Sequence, residues 1–76
     1  MTDLPTMVPV SSSNIHSIGH NGRDMFVRFK DKTGAPTSTY RHAGVPADIY
    51  EHVKTHKSPG HAYIDRVKHF YPGEKL

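Results

Sequence analysis

The chain has 76 residues, no cysteine, no tryptophan and 34% hydrophobic residues, which allows one domain with a thin core and excludes disulfides or a thiolate zinc site as staples. Ten Lys and Arg against seven Asp and Glu give a formal charge of +3, a balance that attracts nucleic acid or acidic partners. No apolar run approaches the roughly 20 residues of a membrane span, and Met1-Thr2-Asp3-Leu4-Pro5 lacks the basic and apolar regions of a signal peptide. The expectation is a cytoplasmic protein with no membrane contact.

Residues 1–7 show no sustained period and read as a flexible segment, ahead of a single domain over 8–72 and a tail over 73–76. Met7, Val8 and Val10 offer an edge strand that Pro9 interrupts. Ser11-Ser12-Ser13-Asn14 is turn material. Ile15 to His20 follows as a weak strand, because Ile15 and Ile18 do not alternate. His20-Asn21-Gly22-Arg23 is the clearest local signal: Asn-Gly suits a type I′ hairpin turn, which needs positive φ at both central positions.

Asp24 to Lys30 alternates well. Met25, Val27 and Phe29 form a core face, while Phe26, Arg28 and Lys30 form the opposite one. Asp31 to Pro36 is a loop, and Thr37 to His42 is a third strand. Tyr40 to Tyr50 is then a strand-to-helix corner, with Gly44 at the bend and Pro46 at the first helical position. Asp48 lies in the first turn, against the positive end of the helix dipole. The first helix runs from about Pro46 to His56, with Ile49, Tyr50 and Val53 inward. Ser58 and Pro59 start a second helix, whose inner stripe is Tyr63, Val67 and Phe70, widened by Ile64 and Tyr71. Pro72-Gly73 ends it.

The expected fold is α+β: a three-stranded antiparallel meander followed by two short helices packed on one face of the sheet. Val27, Phe29, Ile49, Val53 and Val67 should be buried together.

Phe26 is an aromatic beside cations on what should be the wet face. With Arg28, Lys30 and Arg41, flanked by Arg23 and Lys32, it makes a candidate nucleic-acid surface, since single strands are held by ring platforms among cations. The competing reading packs Phe26 under the N-terminal segment or against a symmetry partner. His52 and His56 are four apart on a helix, with His61 or His69 available as a third ligand, but no Cys and no HExxH-type Glu accompany them. No metal and no cofactor are expected. No nucleophile, base and orienter stand in a recognisable arrangement, so no enzyme is expected either.

Ser12-Ser13-Asn14-Ile15, Ser17-Ile18-Gly19, Tyr40, Gly44-Val45-Pro46, Tyr50, Ser58, Gly60 and the spaced Tyr63, Val67 and Tyr71 together resemble the KTSC family, over residues 8 to 72. That domain is named for the C-terminal extension of certain lysyl-tRNA synthetases and also occurs as small stand-alone bacterial and phage proteins. The family's Tyr-x-Tyr stands here as Tyr40-Arg41-His42, and Ile64 replaces an Asn that usually follows the aromatic of the last helix. The synthetase context implies RNA rather than DNA. The first functional expectation is therefore a non-enzymatic nucleic-acid-binding module. The alternative is a small protein-interaction module or inhibitor, such as a phage would encode, docking on a host protein through the Asn14 to His20 strand edge.

Overall fold

The strand that alternates most cleanly lies at the centre of the sheet. The computed structural model describes residues 5–76 and places Met25–Lys30 (β3) between Ile15–His20 (β2) and Pro36–His42 (β4). Val8–Pro9 (β1) pairs with the outer edge of β2, and Gly73–Lys75 (β5) with that of β4. The sheet thus has five antiparallel strands, in the order β1-β2-β3-β4-β5. The expected three-stranded meander forms its middle. β1 falls on the edge strand that Met7, Val8 and Val10 offer, although it spans only two residues, and the three residues of β5 are too few for alternation to show in a sequence. The stretch read as a tail, 73–76, is therefore a sheet edge. Of the segment read as flexible, residues 1–4 lie outside the described residues.

A bulge explains why β2 does not alternate. Ile15 pairs with Phe29 and Ser17 with Arg28, leaving His16 as the extra residue. An inserted residue reverses the alternation on one strand only, so Ile15 and Ile18 both reach the inner face and are fully buried.

The hairpin turn differs from the expected type. Only Gly22 has positive φ (98°), and Asn21 does not, which excludes a type I′ turn centred on Asn21-Gly22. The Asn21 side chain serves the turn instead, its Oδ1 accepting from Arg23 N at 3.0 Å and Asp24 N at 2.7 Å. This hairpin also holds the strand-to-helix corner. Asp24 Oδ1 accepts from Gly44 N at 3.1 Å, and His20 Nε2 donates to the Val45 carbonyl at 2.6 Å.

Ala47–Thr55 (α1) starts one residue later than expected. Pro46 is its N-cap, and the Pro46 carbonyl accepts from Ile49 N and Tyr50 N. Pro59–Tyr63 (α2) begins at Ser58-Pro59 as the sequence implies and passes into a π-helical turn, Ile64–Lys68. Val53, Ala62, Tyr63 and Val67 join Ile15, Ile18, Met25 and Val27 in the core, with Phe29, Ile49 and Tyr71 partly buried around it. Phe70 is the exception, at 70% exposed. Phe70 lies beyond the π turn, where Tyr71 N donates to the Val67 carbonyl at 2.8 Å and Tyr71 takes the inner position in its place. No helix among the described residues is long and apolar enough to cross a membrane.

The outer face of β3 is covered too. Phe26 points away from the helices, opposite Gly19 on β2 and Arg41 on β4, yet only 1% of it is exposed. Residues 5–7 pass over Gly19, where an added Cβ would lie 2.8 Å from Met7 Sδ and 2.9 Å from Pro5 Cγ. The expectation of an exposed Phe26 ring is thus corrected: the N-terminal segment roofs the face that carries it.

Two stability outcomes follow. Phe26→Ala should cost about 3–5 kcal/mol, as for a fully buried ring, read as a large loss of thermal stability; near-wild-type melting would place the ring in solvent. Gly22→Val should cost about 1–3 kcal/mol, because a β-branched residue resists positive φ, measured by denaturant unfolding at unchanged m-value.

Candidate functional site

The cations expected to act with Phe26 do not form one patch. Arg28 and Arg41 share its face of the sheet. However, Arg28 Nε donates to Thr39 Oγ1 at 3.2 Å and Arg41 Nη2 pairs with Glu74 Oε2 at 2.8 Å. Lys30 ends β3, half-buried. Arg23 is exposed in the loop before β3, 3.7 Å from Asp24, and Lys32 is exposed in the loop after it. These two flank opposite ends of a six-residue strand that is itself roughly 20 Å long at the rise of an extended chain. With its ring buried and two of its cations engaged, the outer face is not a stacking platform. The docking edge is also partly occupied, because β1 already pairs with Ser17 and Ile18.

Aromatic surface is open on the other side of the sheet. The Phe29 ring lies edge-on between Tyr40, at a centroid distance of 5.6 Å, and Tyr63, at 5.7 Å. All three line an open cleft of about 430 Å³, rimmed by Asn14, Ser38 and Lys68. The pleat places Tyr40 there: it pairs with Val27 and so faces inward, but at a level where the helices leave it half-exposed.

Behind the cleft, His42 fixes Tyr63. The imidazole is 3% exposed. Its Nδ1 lies 3.0 Å from the Tyr71 carbonyl and its Nε2 2.8 Å from the Tyr63 hydroxyl. A carbonyl only accepts, so Nδ1 carries the proton and Nε2 receives the Tyr63 O–H. Burial lowers the His42 pKa from its ordinary value, partly opposed by the Tyr71 carbonyl. Burial also pushes the Tyr63 phenol up to about 12, with Tyr40 adding to the shift. Tyr63 therefore stays a neutral donor. His42, read from the sequence as the altered second aromatic of a Tyr-x-Tyr, is a buried brace, which the alternation of β4 already implies.

His52 and His56 stand with ring centroids 5.4 Å apart, and His56 Nδ1 accepts from Ser58 N at 2.9 Å. No group of three His, Cys, Asp or Glu placed to hold a metal ion occurs among the described residues.

The family profile described as the KTSC domain matches residues 11–71. Among solved structures, the chain is similar to a KTSC domain protein from Yersinia pestis, at 27% identity and a TM-score of 0.81, over 93% of this chain and 96% of that one. No curated protein matches.

The His42 brace sets a pH dependence. A histidine held neutral in the folded state takes up protons more readily when unfolded, so its contribution to stability is complete above the ordinary value of 6.5 and declines as pH falls below it. The melting temperature should drop between neutral pH and pH about 5, and His42→Gln, whatever its absolute stability, should show a flatter profile. An unchanged profile in that variant would assign the acid sensitivity to other groups.

Proposed function

The chain belongs to the KTSC domain family, and on that fold we propose a single-stranded nucleic-acid-binding module, RNA favoured over DNA, whose ligand lies in the aromatic cleft and not on the outer face of β3. The observation that carries this reading is the cleft itself, an open space of about 430 Å³ with Phe29, Tyr40 and Tyr63 in its wall. Sequence-tolerant binding of single strands relies on rings that bases stack against, with cations beside them. Tyr40 and Phe29 are the partly exposed rings, Asn14 and Ser38 supply hydrogen-bonding groups at the rim, and Lys68 supplies positive charge. No Asp or Glu lines the cleft among the described residues, so nothing there repels a phosphate backbone. The family's link to a tRNA synthetase extension supports RNA over DNA, and unstacked single strands are the usual target of RNA-binding domains.

The test is anisotropy of labelled oligouridine at low salt. Binding should weaken steeply as salt rises, through counterion release. Tyr40→Ala should weaken it by roughly 1–3 kcal/mol with the fold retained, as for one lost stacking partner. Lys68→Ala should lower the salt slope by about one. Absence of binding at low salt, or a folded Tyr40→Ala variant that binds like wild type, overturns the reading.

A further inference from the structure

A second cleft, of about 380 Å³, opens beside the first and shares Asn14 and Ile64 with it. Its chemistry is different. Ser11, Ser13 and Ser58 present hydroxyls, and Lys57 and His61 an ammonium and an imidazole. The Asn14 Oδ1 already accepts from Ser12 Oγ at 3.0 Å, which leaves the two N–H groups of that amide as donors to give. No aromatic ring other than His61, and no Asp or Glu, lines this cleft among the described residues. Its two walls meet closely at Gly60, where a Cβ would stand 3.1 Å from Asn14 Oδ1 and 3.2 Å from Ser12 Oγ.

Hydroxyl and amide donors beside a cation, with no carboxylate among them, suit a group that is anionic and only accepts hydrogen bonds. A phosphate ester is such a group, and charge-assisted bonds to it are about twice as strong as neutral ones. The neighbouring cleft supplies the other half of the ligand, since rings receive a base and not a phosphate. We propose that the serine-lined cleft seats the phosphate of the nucleotide whose base lies in the aromatic cleft, the sugar crossing at Asn14 and Ile64. This rests on the nucleic-acid reading and deepens it by assigning the two ends of one nucleotide to two places on the surface.

The experiment is an amide-resolved NMR titration of the full chain with uridine, uridine 5′-monophosphate, uridine 3′-monophosphate and inorganic phosphate, beside the oligouridine measurement. Uridine should shift Ser38 and Tyr40 only. One of the two monophosphates should also shift Ser13, Lys57 and Gly60, and should bind about tenfold more tightly than uridine, the scale of one charge-assisted contact. Which one does so reports the direction of the strand. Lys57→Gln, an exposed loop change, should remove the tenfold advantage and leave uridine binding unchanged. Equal binding of uridine and both monophosphates, with oligouridine binding still dependent on Tyr40, overturns the phosphate seat and leaves the nucleic-acid reading standing. Shifts at Ser13 and Lys57 with inorganic phosphate, but no oligouridine binding at low salt, overturn both the nucleic-acid reading and the assignment to a nucleotide.

Discussion

His42 is the polar contact on which the inner face of the sheet depends. A buried imidazole is costly unless both nitrogens are satisfied, and here each has a partner from a different part of the chain. The bond to Tyr63 orients that ring, and Tyr63 in turn meets the edge of Phe29, so the cleft wall inherits its geometry from the brace. The bond to Tyr71 fixes where the chain leaves the last helix. Two residues further on is Gly73, where an added Cβ would fall 2.7 Å from His42 Cε1. One side chain thus ties β4, α2 and β5 together in a domain with little apolar core to spare.

The smallness of that core also accounts for the outer face. A 76-residue chain buries only about 60% of its unfolded surface, and β3 cannot be covered by helices on both sides. Residues 5–7 close the second side across Gly19. The cations left around that roof are held by neighbours, Arg28 by Thr39 and Arg41 by Glu74. The positive charge of the chain therefore does not amount to a binding patch there, although its strand alternation looks like one.

Signals confined to a few adjacent residues were legible in the sequence. The alternation of β3, the bend at Gly44 (φ 76°) and the Ser58-Pro59 start of α2 all appear where their residues place them. Features that depend on distant parts of the chain were not. Nothing near Phe26 decides between an exposed ring among cations and one packed under the N-terminal segment, and the structure shows the second. The bulge at His16 is visible only as a failed alternation, and Phe70 lies beyond the last helical residue, Lys68, where the 3.6-residue period used to place it inward no longer applies. β5 is set by pairing with β4, not by its own three residues. The aromatic cleft is likewise a product of packing, for Tyr40 and Tyr63 are far apart in sequence and each has an adequate reason to be core.

His42 and Ile64, the two positions where the resemblance implies an aromatic and an Asn, fall on opposite sides of the cleft wall, and their consequences differ. His42 stands behind it, 3% exposed, where an exchange of aromatic for imidazole changes the brace and leaves the surface a ligand meets intact. Ile64 stands at the junction of the two clefts, 36% exposed, where an Asn would offer two donors and an acceptor. An isoleucine there offers none, which leaves Asn14 as the only amide shared by both clefts among the described residues. Base identity is read by hydrogen bonds to base edges, while stacking is indifferent to it. If a single strand occupies the cleft as proposed, rings without an amide at position 64 would hold it by stacking, with little choice among sequences.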